Sequence, residues 1–406
     1  MAELYAYTES ERMFAEAQDL FPGGTPQHRR ALIPGGSPIY MDRGRGSHIW
    51  DVDGNEYIDY TLSLGPIVLG YAHPRVNRAV AEAMKKGATF TLNHPIQNQL
   101  ARRLIEVIPS AEMVWYARTG SGVTSSALRI ARAHTGREKV IRCGYHGWHD
   151  WCVPGGAGVP KSIADEIIGW DGQETDGLQA IFNEHPDQIA CLIVAPEAIH
   201  DLSAERLRDV QRVVAGAGAI WILDEIKTGF RMALGGVQEH FGVTPDLTTV
   251  SKAMANGWPI GAVVGRREIM LTADKVWLPS TFNEETLGMA AALATIDELA
   301  ERDGIAHFFH IGTRLIDGLT KLCLAIGVEA HGEAQPLPPM PFLRFDYEDD
   351  AVRDKARGIF FREVIGRGVL FHPGHVWFLT LSHTDEDVDR SLEVAEIAFK
   401  QVKKNL

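Results

Sequence analysis

The residues with the clearest chemical potential are an Asp-Glu pair and a lysine further along the chain. Asp224 and Glu225 end an apolar run that begins at Ala219, and Lys252 comes 28 residues after Asp224, just beyond the β-like run from Leu247 to Val250. A short, continuous apolar run predicts a buried strand of a parallel sheet. Open α/β sheets bind their ligands at the carboxyl ends of such strands. We therefore expect Asp224 and Lys252 to face one crevice.

A carboxylate and a lysine that meet in such a crevice suit pyridoxal 5'-phosphate (PLP). Lys252 would form a Schiff base with this cofactor, and Asp224 would keep the pyridine nitrogen protonated so that the ring can accept electrons. These two residues alone also allow another interpretation, in which Asp224 is an ordinary strand-end acid and Lys252 is a surface lysine.

Longer blocks of the sequence resemble the class III aminotransferases, and within that family the glutamate-1-semialdehyde aminomutase branch. The blocks occur in family order over nearly the whole chain, so the resemblance is specific for fold and cofactor and less specific for substrate. The matching blocks are residues 50–60, 70–74, 145–150, 223–231, 235–249 and 382–387.

The resemblance implies an α/β fold, that of the fold type I PLP-dependent transferases. This fold has a large domain with a mostly parallel seven-stranded sheet and a small α+β domain built from both chain ends. Independently, apolar strands alternate with helices from about residue 75, which predicts a mostly parallel sheet covered on both faces. We place the two parts of the small domain at 1–60 and 301–406, and the large PLP-binding domain at 61–300.

A glycine-rich segment is the candidate phosphate site. Thr119, Gly120, Ser121 and Gly122 follow a short strand and precede a helix that we expect to start near Thr124. Glycines let the backbone approach an anion, and a helix N-terminus supplies free N–H groups, so Gly120 and Ser121 are candidate phosphate ligands. A dinucleotide-binding motif is the alternative, but its third glycine is absent. The family usually has glutamate at the position of Gly122.

The resemblance implies two contacts to the cofactor ring. Tyr145 matches an aromatic residue that stacks on the pyridine face, and Ile226 matches a β-branched residue that packs on the opposite face. His146, His149 and Asp150 could instead be metal ligands by residue type. No further ligand cluster accompanies them, and loop histidines are commonly solvated or hydrogen-bonded, so we expect no metal.

The substrate end departs from the aminomutase branch. Arg30 aligns with an arginine that binds the substrate carboxylate, although a surface arginine is the alternative. Leu64 replaces a tryptophan, His375 replaces a glutamate near the expected substrate contacts, and the loop after Trp151 is markedly shorter than the aminomutase gating loop. Glu197 lies two positions after the family's usual glutamate, and we expect it to be a solvated strand-end acid.

These features predict a ping-pong transaminase that moves an amino group between an α- or β-amino acid and a 2-oxo acid. The short loop favours this function over an aminomutase, which must retain a diamino intermediate. A racemase or decarboxylase on the same scaffold, a non-catalytic PLP- or ligand-binding protein and an NAD-dependent oxidoreductase are further alternatives.

Composition restricts the partners and the location. The 406 residues carry a formal net charge of -13, which argues against nucleic acid or an anionic membrane surface as a partner. The N-terminus has no signal-like segment and no stretch approaches a membrane span, so we expect a soluble cytoplasmic enzyme with reduced cysteines. The resemblance further implies a homodimer with shared active sites, in which Thr281 contacts the phosphate bound by the neighbouring subunit.

Overall fold

The computed structural model describes residues 4–25 and 39–406. The strands are β1 (Met41–Arg45), β2 (His48–Asp51), β3 (Glu56–Asp59), β4 (Met113–Ala117), β5 (Lys139–Cys143), β6 (Ile167–Gly169), β7 (Ile189–Val194), β8 (Ile220–Asp224), β9 (Leu247–Val250), β10 (Gly261–Gly265), β11 (Ala330–Ala334), β12 (Pro341–Phe345) and β13 (Val369–Leu370). The helices are α1 (Thr8–Leu20), α2 (Pro74–Met84), α3 (Pro95–Val107), α4 (Gly120–Thr135), α5 (Lys161–Ala164), α6 (Thr175–Glu184), α7 (Ala204–Gly216), α8 (Val237–Phe241), α9 (Arg267–Met270), α10 (Thr286–Glu301), α11 (Gly304–Ile326), α12 (Asp350–Ile365) and α13 (Asp385–Asn405).

The chain divides into two compact units, 74–305 and 1–73 with 306–406. Sequence analysis placed the boundaries at 60/61 and 300/301, so the structure assigns residues 61–73 and 301–305 differently. In the second unit β13, from near the C-terminus, pairs parallel with β3, from near the N-terminus. Both ends of the chain therefore contribute to one sheet, whose strand order is β1-β2-β3-β13.

The unit 74–305 is built on a seven-stranded sheet with the order β4-β10-β9-β8-β7-β5-β6. The pairs β6–β5, β5–β7, β7–β8 and β8–β9 are parallel, and β10 runs antiparallel to both β4 and β9. Strand β4 consequently points in the same direction as β9. The carboxyl ends of β4, β5, β7, β8 and β9 thus emerge at one edge of the sheet. The predicted α/β class with a mostly parallel seven-stranded sheet is confirmed.

Burial explains why the central strands are almost continuously apolar. All residues of β7 and β8 are buried, which is expected for parallel strands covered by helices on both faces. Helix α4 supplies part of this cover through Val123, Ala127 and Ile130, whose spacing of three and four residues places them on one helical face.

Helix α4 begins at Gly120, four residues before the start expected from the sequence, so that expectation is wrong. The side chain of Thr119 accepts a hydrogen bond from Gly122 N at 3.1 Å and caps the helix. Glycine lowers intrinsic helix propensity, which hides this first turn from a sequence-based prediction. The consequence is that Gly120 and Ser121 belong to the first turn, where backbone N–H groups have no intrahelical acceptor.

In the part of the chain that the structure describes, no helix is both long enough and apolar enough to cross a membrane.

Candidate active site

Asp224 and Lys252 lie in one cavity at the carboxyl edge of the sheet. In the parallel ladder of β8 and β9, Asp224 is in register with Thr249, three residues before Lys252. Both line a cavity of about 230 Å³. The expectation that these two residues face one crevice is therefore confirmed by the register of two neighbouring strands.

The same cavity collects residues that follow the ends of three other strands, β4, β5 and β7, including the start of helix α4. It is lined by Thr119, Gly120, Ser121, Tyr145, His146, Gly147, Trp148, Ala195, Glu197, Asp224, Ile226, Lys227 and Lys252. Of the residues singled out from the sequence, it brings together Gly120, Ser121, Tyr145, Asp224, Ile226 and Lys252.

Three groups hold the carboxylate of Asp224, whose residue is only 3% exposed. Thr249 Oγ1 donates to Oδ1 at 2.8 Å, and Ile226 N donates to Oδ1 at 3.2 Å. His146 Nδ1 lies 2.7 Å from Oδ2. A buried carboxylate needs such partners, and together they fix both oxygens in one orientation.

The ring of His146 is fixed at both nitrogens. Its Nε2 lies 3.0 Å from the carbonyl oxygen of Cys143, and because a carbonyl oxygen can only accept, Nε2 carries a hydrogen. The contact between Nδ1 and Asp224 Oδ2 also needs one hydrogen, so the pair is either imidazolium with carboxylate or imidazole with carboxylic acid. In both states the histidine holds Asp224, which sequence analysis did not foresee.

The metal alternative is not supported by the partners of the two histidines. His149 Nδ1 lies 2.7 Å from Ser125 Oγ, so it is engaged with a hydroxyl rather than with His146. Among residues 4–25 and 39–406, no group of three or more histidine, cysteine, aspartate or glutamate side chains could hold a metal ion.

Lys252 begins a short 3₁₀ turn in a conformation that is uncommon for a residue with a side chain. Its φ is 41°, in the left-handed region, and such backbone strain is often found at functional sites. Burial, and after it the charge of Lys227, lower the pKa of Lys252 to about 8, against the opposite effect of Glu197. A substantial fraction of Lys252 is therefore the neutral, nucleophilic amine at mildly alkaline pH.

The first turn of α4 lies beside these residues in the cavity. Ser121 is 7% exposed, and its Oγ accepts a hydrogen bond from Trp148 N at 3.2 Å. Gly147 has a φ of +122°, and a Cβ at this position would lie 2.3 Å from Ser121 Oγ. Glycine is therefore required where the loop that carries Tyr145 passes the helix N-terminus, and free N–H groups with a favourable dipole remain available to an anion.

Tyr145 and Ile226 supply apolar surface to the cavity. Tyr145 is 61% exposed, so much of its side chain is not covered by the chain itself. Ile226 Cδ1 would lie 3.1 Å from a Cβ built on Gly120, which shows how closely the isoleucine packs against the start of α4.

Glu197 is not the solvated acid expected from the sequence. Its side chain is 13% exposed, and its Oε1 lies 2.6 Å from Nζ of Lys227, which is 16% exposed. Both residues line the cavity. The expectation was wrong because the partner comes from the next strand, β8, and its proximity depends on strand pairing that the local sequence does not reveal.

Thr281 and His375 are not among the described residues that line this cavity. Thr281 is exposed and lines a different cavity. His375 belongs to the other compact unit, where its Nδ1 donates to the carbonyl oxygen of Val376 at 2.8 Å. Arg30 lies outside the described residues. The substrate contacts proposed for Arg30 and His375 therefore stay predictions.

Comparison with known proteins identifies the family. The model of "Aminotransferase class-III" matches residues 34–326. The chain belongs to the class III aminotransferases. It is 38% identical to a 3-aminobutyryl-CoA aminotransferase of Cloacimonas acidaminovorans over 100% of both chains. It is 35% identical to a glutamate-1-semialdehyde 2,1-aminomutase of Syntrophobacter fumaroxidans, over 97% of this chain and 98% of that relative.

A solved structure of another protein has the same fold. The FumI protein of Sphingopyxis sp. MTA144, solved in its PLP internal aldimine form, superposes with a TM-score of 0.93 at 28% identity. The match covers 98% of this chain and 97% of that one. The aminotransferase is thus similar along its whole length both to transaminases and to aminomutases.

We predict that His146 acts as a positioning residue for Asp224. Replacing it in His146→Leu removes one contact to a charged group, which contributes about 1.5–3 kcal/mol, so kcat should fall about 10- to 150-fold. KM should change little, because His146 is only 2% exposed and both of its ring nitrogens are engaged, by Asp224 and by the carbonyl oxygen of Cys143. Steady-state kinetics on both parameters tests this.

The matched control is His149→Leu, which removes a histidine from the same loop that contacts Ser125 instead. Equal kcat values for the two variants, at similar thermal stability, would show that the His146–Asp224 contact has no role in turnover.

Proposed function

We propose that this aminotransferase uses PLP in the cavity at the carboxyl edge of the sheet. The observation that carries the proposal is the placement of Asp224 and Lys252 in one cavity with the N-terminus of α4. These groups supply the donor set that PLP needs: N–H groups for a phosphate, a buried carboxylate for a ring nitrogen and a lysine for an aldehyde. The PLP-containing structural relative supports the same assignment.

The residues divide the binding task. Gly120 and Ser121 would hold the phosphate through the first turn of α4, with the Ser121 hydroxyl as an additional donor. Asp224 would pair with the ring nitrogen, in the orientation fixed by Thr249 and by the His146 ring. Tyr145 and Ile226 would cover the apolar ring.

When bound, PLP supplies a conjugated ring that accepts the electrons released from the amine-bearing carbon of a substrate. Lys252 is the base proposed for that carbon: once the substrate amine has displaced it from the cofactor, its neutral amine would take up the departing proton and deliver a proton to the former aldehyde carbon of the cofactor within the same half-reaction. The second half-reaction would run the same two transfers in reverse. Its pKa of about 8 places the amine close to the pH at which it can both accept and donate. As a carboxylate, Asp224 would stabilise positive charge in this buried position more strongly than it would in water.

For the substrate, we propose a compound whose amino group is at the 3-position of an acyl chain. The support is the full-length similarity to a 3-aminobutyryl-CoA aminotransferase. An amino-group acceptor of the 2-oxo acid class completes the reaction.

Glutamate-1-semialdehyde aminomutase is the second candidate, supported by the relative from Syntrophobacter fumaroxidans. The short loop after Trp151 favours the aminotransferase. That loop contains only the 3₁₀ turn Asp150–Cys152 and the four-residue helix α5 before β6 begins at Ile167. A plain transaminase releases its product after each half-reaction and does not need a longer gate to retain an intermediate.

A substrate panel tests the proposal. We expect the PLP-loaded protein to use 3-aminobutyrate with a 2-oxo acid at least about 10-fold more efficiently, in kcat/KM, than 2-aminobutyrate, or the CoA thioester of the first more efficiently than the CoA thioester of the second. The two isomers differ only in the position of the amine, so the comparison isolates that preference. Conversion of glutamate-1-semialdehyde without any 2-oxo acid, at a higher efficiency than all amino donors, would instead support the aminomutase.

We also propose a homodimer that completes the phosphate site through Thr281. In the unit 74–305, Trp148 and Trp277 are 72% and 81% exposed and line one cavity, and Phe282 is 59% exposed beside Thr281. Contiguous exposed aromatic surface of this kind is typical of protein–protein interfaces. A cytoplasmic location also fits, because all four cysteines are free and buried; cell fractionation would test it.

Light scattering should give a mass twice that of the chain. Trp277→Glu should weaken the dimer and reduce activity together, because it places a charge in the apolar contact. Leu324→Glu is the control, since Leu324 is 77% exposed on α11, outside the unit 74–305. A fully active monomer would contradict the dimer proposal.

A further inference from the structure

A second lysine lines the cavity of Lys252. Lys227 follows Asp224 by three residues, and Glu197 lies in the 3₁₀ turn Pro196–Ala198 just after β7. Strands β7 and β8 are parallel neighbours, so these two loops emerge side by side. The resulting ion pair joins Lys227 Nζ to Glu197 Oε1 over 2.6 Å.

This ion pair differs from the surface ion pairs of the chain in its burial and in its incomplete pairing. The two side chains are 16% and 13% exposed, so both charges are largely removed from water. Oε2 of Glu197 is buried and has no hydrogen-bond partner among the residues that the structure describes. Partly buried charges with unfilled hydrogen-bonding capacity are costly, and they recur at functional sites.

The position of the pair gives it an electrostatic effect on the reactive lysine. Lys227, Glu197 and Lys252 line the same cavity, where the effective dielectric constant is far below that of water and charge–charge interactions are strengthened. Nζ of Lys227 also lies 5.9 Å from the centre of the Tyr145 ring, so the cation is directed towards the cavity wall that carries this aromatic residue.

We propose that Lys227, anchored by Glu197, is a tuning residue that keeps Lys252 in its neutral, nucleophilic form. The ammonium of Lys227 disfavours a second positive charge in the cavity, and the carboxylate of Glu197 limits this effect while it holds Lys227 in place. The proposal rests on the proposed function only in taking Lys252 as the reactive lysine.

Among the charged groups that face Lys252, Lys227 is the largest influence that favours the neutral amine. Burial is the largest cause of the lowered pKa of Lys252 and Lys227 is the next; Arg231 acts in the same direction, and Glu197 and Asp224 oppose it. His146 and Thr249 both contact the carboxylate of Asp224, so they weaken its electrostatic effect on Lys252. Removal of the Lys227 charge should therefore raise the pKa of Lys252, and Lys252 should then stay protonated to a higher pH.

The test measures Lys252 itself rather than turnover. Full-length protein freed of cofactor is acetylated with a trace of acetic anhydride across a pH series, and the Lys252 peptide is quantified by mass spectrometry. Only the neutral amine reacts, so the midpoint of the profile is the pKa of Lys252. Two variants are compared: Lys227→Met removes the charge at similar side-chain length, and Lys227→Arg retains the charge. If Lys227→Met is unstable, Lys227→Gln takes its place.

Lys139→Met is the remote control, because Lys139 is another partly buried lysine in the same unit, 3.6 Å from Glu166. We expect Lys227→Met to raise the Lys252 midpoint by at least about half a pH unit, because a like charge in a medium of reduced dielectric is removed. Lys227→Arg and Lys139→Met should leave the midpoint within about a few tenths of a unit of the unmodified protein.

An unchanged or lowered midpoint in Lys227→Met would overturn the proposal, and so would equal shifts in Lys227→Met and Lys227→Arg. In the PLP-loaded protein, the pH titration of the visible absorption band should shift in the same direction as the acetylation profile. If the substrate panel contradicted the proposed substrate class, the acetylation result would still stand. The proposals on the substrate and on Lys227 can therefore be refuted separately.

Discussion

The parallel pairing of β8 with β9 is the constraint on which the site depends. In this ladder Asp224 is in register with Thr249, and Thr249 Oγ1 donates to the carboxylate at 2.8 Å. Strand β9 thus orients the acid at the end of β8. Lys252 comes three residues after Thr249, just beyond the end of β9. A one-residue slip would turn Asp224 to the other face of the sheet and separate the two groups.

The other cavity residues follow from the same edge. Because β4, β5, β7, β8 and β9 all point one way, their ends and the loops after them bring the N-terminus of α4, two aromatic side chains, two acids and two lysines to one place. Burial then changes their chemistry: with the charge of Lys227 it lowers the pKa of Lys252 to about 8, and it makes the orientation of Asp224 by His146 energetically important. The sheet therefore sets the positions of the cavity residues, and their burial increases the reactivity of Lys252.

Much of this arrangement could be predicted from the sequence, because the signals are local. The apolar run before Asp224 and the polar segment after it mark a buried strand end, and the glycines near Ser121 mark a backbone that an anion can approach. The start of α4 was misplaced because glycines conceal a helical turn that Thr119 caps.

The pair of Lys227 with Glu197 and the contact of His146 with Asp224 could not be predicted, since each joins loops of different strands. Their signal was residue type alone: a lysine directly after Ile226, and a histidine beside Tyr145. Arg30 and His375 remain sequence-based predictions, because one lies outside the described residues and the other belongs to the other compact unit.

Locating the cofactor linkage is the most direct test of whether Asp224 and Lys252 form one PLP site. The PLP-loaded protein would be reduced with borohydride, digested and analysed by mass spectrometry. We expect a phosphopyridoxyl group on the peptide that contains Lys252 and its loss in Lys252→Ala. A label on Lys227, the other lysine of the same cavity, or on a lysine outside it would contradict this assignment.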